Sequence, residues 1–120
     1  MAKRALIRSL AICTPLWLAG CAHAPATDGS ATEQWLGRWS GPEGTYLDIT
    51  GTPADYRLTI ANLDGPRRFV GRAQDGQIVF VRDGVVESIR ATDGEATGMK
   101  WLLDKHNCLT VRSGEGYCRD

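Results

Sequence analysis

Apolar and polar residues alternate with a period of two through the middle of the chain. Over residues 56–61, Tyr56, Leu58 and Ile60 share one face of a strand, and Arg57 and Thr59 share the other. Residues 67–73 repeat the pattern, with Phe69 inward and Arg68 and Arg72 outward. Further strands are predicted over 45–50, 77–82, 85–91, 108–112 and 117–119. Turn chemistry separates them: Gly41-Pro42-Glu43-Gly44, Gly51-Thr52-Pro53, Asp64-Gly65-Pro66 and Ser113-Gly114-Glu115-Gly116. Asp75-Gly76 and Asp83-Gly84, each between apolar runs, are hairpin signals, because a type I′ turn needs positive φ at both central residues.

Near the C-terminus the period changes. Met99, Leu102, Leu103 and His106 fall at helical spacing, which predicts a short helix over about 97–107 flanking the sheet; Gly98 weighs against it and keeps a strand open there. Consecutive hairpins without β-α-β alternation predict an all-β fold. We expect a small antiparallel up-and-down meander of about eight short strands, curled into a barrel or half-barrel, with one short helix near the C-terminus. Closure removes the exposed edges that a meander otherwise presents. Trp35, Trp39 and Trp101 read as core residues, although one of them lining a pocket is also open.

The first fifth of the chain follows a different logic. Lys3, Arg4 and Arg8 precede an uncharged, mostly apolar run over 10–18. That run is far short of the roughly 20 residues of a membrane-spanning helix, so it reads as a signal peptide. The stretch Leu18-Ala19-Gly20-Cys21 that follows resembles the lipobox of bacterial lipoprotein precursors. The resemblance implies cleavage before Cys21, a diacylglyceryl group on its thiol and acylation of its new amino group. The partner is then a lipid bilayer, held durably because two or more acyl chains are present. In that family an aspartate after the cysteine favours the inner membrane. Ala22 stands there, which implies the outer membrane facing the periplasm of a Gram-negative cell. Residues 1–20 are thus expected to leave, 21–32 (rich in Ala, Thr, Pro and Ser, and including His23) to form a flexible tether, and 33–120 to form the β domain.

Processing changes the charge and the cysteine count. The 120-residue chain balances 14 basic against 14 acidic residues; without Lys3, Arg4 and Arg8 it keeps 11 against 14 and is mildly acidic. Nucleic acid is therefore an unsuitable partner. Cys13 leaves with the signal peptide and Cys21 is acylated. Cys108 and Cys118 remain, and in an exported chain they read as one disulfide. A metal site is disfavoured, since the spacing fits no zinc pattern and His106 is the one nearby histidine.

Candidate chemistry is sparse. Ser40, Ser88 and Ser113 lie in no nucleophile-elbow context, and no phosphate loop, metal motif or cofactor fingerprint appears. His106 reads as a helix-end residue. The chain is expected to be non-catalytic, without cofactor or metal. Arg57, Arg68, Arg72, Arg82 and Arg90 are expected to point outward, either as a mixed-charge solvated face or as a basic stripe.

Two further resemblances bear on function. Gly37-Arg38-Trp39 is similar to the first strand of lipocalins, where the tryptophan seals one barrel end. Ser113-Gly114-Glu115-Gly116-Tyr117 beside Cys118 resembles the inhibitory loop of membrane-bound inhibitors of c-type lysozyme. That resemblance implies that Ser113, Gly114 and Tyr117 act on a lysozyme-like hydrolase, although here the loop lies at the C-terminus and the family's lies mid-chain. The leading expectation is a membrane-anchored periplasmic lipoprotein whose small barrel binds a protein, an envelope component or a small ligand. Inhibition through the 113–117 loop is the alternative.

Overall fold

The computed structural model describes residues 29–120. The expected signal peptide with Cys13, the expected lipidation site Cys21, and the expected tether as far as 28, with His23, lie outside the described residues. Those described form one short helix, eight strands and three 3-10 turns. The strands are β1 (Gly37–Ser40), β2 (Tyr46–Thr52), β3 (Asp55–Asn62), β4 (Gly65–Gln74), β5 (Gln77–Arg82), β6 (Val85–Thr92), β7 (Cys108–Arg112) and β8 (Glu115–Cys118). Each is antiparallel to the next, and β1 pairs with β8, so the sheet is a closed up-and-down barrel.

The hairpin turns follow the sequence chemistry. Asp75 and Asp83 have φ of 53° and 52°, and Gly76 and Gly84 have φ of 76° and 78°, so both central residues of each turn are left-handed as type I′ geometry requires. These turns set the register that places Ile78 opposite Ile89 and Gly71 opposite Phe80. Alternation then sends one set of side chains inward. Trp39, Leu47, Ile49, Tyr56, Leu58, Ile60, Ile78, Phe80, Ile89, Leu109, Val111 and Tyr117 are all buried in one cluster. Phe69 packs on it, with its ring centroid 5.4 Å from that of Phe80. The interior is a packed core, as in small barrels generally.

The helix is α1 (Gly29–Glu33), and it lies at the N-terminal side. The short helix expected near the C-terminus does not form. Residues 93–107 instead make two 3-10 turns, Glu95–Thr97 and Lys100–Leu102. Gly98 sits at φ 71° and Met99 is extended, and both break helical continuity. Leu102 and Met99 pack on Cys108 and Cys118, while Leu103 and His106 are exposed, so the apolar stripe has no common face. Thr32 is buried and hydrogen-bonds the Tyr56 hydroxyl at 2.8 Å, so α1 belongs to the barrel. Among the described residues no helix is long and apolar enough to cross a membrane.

Candidate functional site

The two ends of the barrel are closed in different ways. At the end where β1 begins and β8 finishes, the segment after α1 folds over the opening. The Trp39 indole N–H donates to the Trp35 carbonyl at 2.8 Å. Arg119 lies over the Trp39 ring and donates to the carbonyls of Gln34, Trp35 and Leu36. Burial lowers the Arg119 pKa somewhat, and the three carbonyls supply the acceptors its guanidinium needs. The disulfide lies at the same end. Cys108 opens β7 and Cys118 closes β8, they face each other in register, and their sulfurs are bonded.

The opposite end is sealed by charge. Arg82 of β5, Glu87 of β6, Arg112 at the end of β7 and Glu115 of β8 form one network. Arg82 grips the Glu115 carboxylate through two nitrogens at 2.7 Å and also donates to Glu87. Arg112 donates to the other Glu87 oxygen at 2.6 Å. Glu87 is only 6% exposed, yet hydrogen bonds from Arg112 and then Arg82 hold its carboxyl below the usual range against the cost of burial. Glu115, then Glu87, holds the Arg82 guanidinium firmly charged. The Tyr117 hydroxyl reaches toward Glu115, and burial, reinforced by that carboxylate, raises its pKa well above the phenol value. Arg82 was expected on the outer stripe; it points inward because it continues the Ile78-Phe80 face of β5. Sequence parity carried that signal, and the preference of charge for solvent masked it.

The sequence-predicted site residues separate accordingly. Cys108 and Cys118 are brought together. Ser113 is exposed on the β7–β8 turn, whereas Tyr117 is buried in the core. A loop that offered both hydroxyls to a partner's cleft would require Tyr117 to leave the barrel interior. Cys108, Cys118 and Asp120 lie close enough to suggest a metal cluster, but their chemistry is already committed. The thiols form the disulfide, and the Asp120 carboxylate accepts the backbone N–H of His106 and of Asn107, the former first among the causes that lower its pKa. His106 is exposed, and among the described residues no serine hydrogen-bonds to it.

Two open grooves lie on the outer wall formed by β2–β6. One groove of about 500 Å³ is lined by Thr50, Arg57, Thr59, Arg68 and Val70, with Leu58 and Phe69 beneath. A second, of about 440 Å³, runs from Val70 across Gly71 and Arg72 to Val79, Val81 and Val86. The two share Val70. Register explains the composition: Arg57 faces Val70, Thr59 faces Arg68, Arg72 faces Val79 and Val81 faces Val86. Val70, Val81 and Val86 are therefore exposed side by side, rimmed by cations. Arg57 pairs with Asp55 at 3.1 Å and Arg72 donates to Gln74 at 3.2 Å, both in solvent. Arg68 makes no ion pair among the described residues. The sequence showed these arginines as outward, but only the register brings the valines and cations into one surface.

Comparison with known proteins returns no matching family model, no matching curated protein and no matching solved structure.

Proposed function

We propose that this chain is a lipid-anchored, non-catalytic lipoprotein of the bacterial envelope, whose barrel binds a partner protein on its outer β2–β6 wall. The observation that carries the reading is the position of free space: the barrel interior is packed from Trp39 to Tyr117, and the two adjoining grooves lie outside. A filled barrel favours a macromolecular partner over a small apolar guest. Exposed valines offer apolar area, and the Arg57-Arg68-Arg72 rim favours a partner with acidic side chains. The anchor rests on the lipobox-like stretch ending in Cys21, and the outer membrane on Ala22. Gly37-Arg38-Trp39 supports a lipocalin-like kinship through the buried Trp39 at a closed barrel end.

Two measurements test the reading. Cys21→Ser should leave the chain unprocessed and without lipid; normal maturation and membrane fractionation of that variant would end the anchor. For the wall, a photo-crosslinker at Val70 in the full chain, in cells, should give a discrete protein adduct that Arg68→Glu abolishes. A control crosslinker at exposed Glu43 should not give it. Equal adducts at both positions, or adducts indifferent to Arg68, would count against the wall as the binding surface.

A further inference from the structure

We infer that Trp101 and Leu103 rest in the headgroup layer of a phospholipid bilayer and fix the barrel's orientation, with the groove-bearing wall turned away from the lipid. The inference rests on the anchored reading above and adds a second contact to it.

Trp101 is 71% exposed and Leu103 58% exposed, and both flank Leu102, which is buried. Leu102 packs on the disulfide together with Met99. The backbone around it is tied down: Leu102 N–H donates to Met99, Lys105 N–H to Leu102 and Gly94 N–H to the Lys105 carbonyl. The two apolar side chains therefore project from a braced loop. Such exposure is costly in water and natural at a membrane interface, where tryptophan is enriched and leucine buries apolar area. Lys100, whose ammonium lies 5.9 Å from the Trp101 ring, and Lys105 have stems long enough to reach phosphates while the ring sits deeper. Asp104 and Glu95 are exposed on the same loop, so the attraction comes from the apolar side chains more than from net charge.

Position identifies the occupant. The disulfide marks the barrel end at which α1 enters, so Trp101 and Leu103 lie toward that end. Gly29 lies eight positions after Cys21, a span of at most about 29 Å when fully extended. An acylated Cys21 thus keeps this end within reach of the bilayer. In the closed barrel β4 lies across from β8. A contact made outside β7–β8 leaves the β2–β6 grooves facing away from the membrane, where a partner protein can reach them.

The test uses the full chain produced in a Gram-negative cell and reconstituted in vesicles of phosphatidylethanolamine and phosphatidylglycerol carrying brominated acyl chains. Tryptophan quenching is read for the natural chain and for Trp101→Phe, and the mass of the N-terminal peptide reports lipid on Cys21. Of the other tryptophans, Trp17 precedes the expected cleavage before Cys21 and leaves on processing, and Trp35 and Trp39 are buried and should not respond. The expected result is lipidated protein whose bromolipid-dependent quenching is lost in Trp101→Phe. Lipidated protein quenched equally in both forms overturns the inference and leaves the anchor standing. Without lipid on Cys21, quenching that still depends on Trp101 supports the contact while the anchor fails; no such quenching ends both. Leu103→Ser should diminish the Trp101-dependent quenching of the lipidated chain, since one apolar contact with the bilayer is lost.

Discussion

The guanidinium carbon of Arg119 lies 4.0 Å from the centre of the Trp39 ring, joining the last strand's exit to the first strand's core residue. The same side chain donates three hydrogen bonds to the carbonyls of Gln34, Trp35 and Leu36. Arg119→Ala should therefore loosen both chain ends at once. We expect a loss of about 1–2 kcal/mol in urea denaturation, from charge-assisted bonds and ring stacking in a partly exposed setting. Lysine should recover little, since it lacks the planar fork. Hydrogen exchange at Trp35 and Leu36 should rise in step. Unchanged exchange there would show that the cap does not hold α1.

Glu87 gives the barrel an acid dependence. Its pKa is depressed in the folded state, chiefly by Arg112, relative to about 4.3 in an unfolded chain. Its contribution is full above the unfolded value and is lost as pH falls through the lower folded value. Glu87→Gln should cost about 3 kcal/mol at pH 7, because it strips two cations of a buried partner. The gap between the natural chain and the variant should narrow below about pH 4. A gap that stays constant into acid would refute this account.

The disulfide closes the loop between β7 and β8, at a sequence separation of 10. Replacing Cys108 and Cys118 with serine should cost about 2.5–3 kcal/mol by the chain-entropy estimate, measured as a shift in the denaturation midpoint. The loss should be larger if Leu102 and Met99 also come away from the site they cover.

Gly94 tests the bracing of the 93–107 loop. A Cβ at this position would lie 1.6 Å from the Leu102 carbonyl oxygen, a backbone atom that cannot rotate aside. Gly94→Ala should displace the loop and destabilise the protein by about 1–3 kcal/mol, the usual range for overpacking. Limited proteolysis after Lys100 or Lys105 should accelerate. A variant as stable and as resistant as the natural chain would mean the loop accommodates the methyl freely.

Hairpins were legible in the sequence because their information is local. Asp75-Gly76 and Asp83-Gly84 dictate their own backbone, and the Tyr56-Leu58-Ile60 alternation reports its own face. Closure of the barrel was one of two expectations, since pairing of β1 with β8 depends on residues 78 positions apart. The 93–107 segment misled because helical spacing records which residues are apolar, not what they pack against. Leu102 answers to the disulfide, and Trp101, expected in the core, answers to nothing inside the barrel. Among the arginines, hydropathy assigned Arg82 to solvent although its place two residues after Phe80 assigned it inward. The groove wall was hidden for a different reason: its valines come from three strands and meet only through register.

The pairing of β1 with β8 consists of a single residue pair, Ser40 with Cys118. Every other joint in the barrel has at least three. This makes the junction of the chain's two ends the natural place for the cylinder to breathe. Opening there would free two strand edges while leaving the seven other strand pairings intact, so a transiently parted molecule could trade its first strand with a neighbour at high concentration. Arg119, one residue past Cys118, reaches across that junction to Gln34, Trp35, Leu36 and the Trp39 ring, and it acts as a latch that keeps each barrel closed on itself.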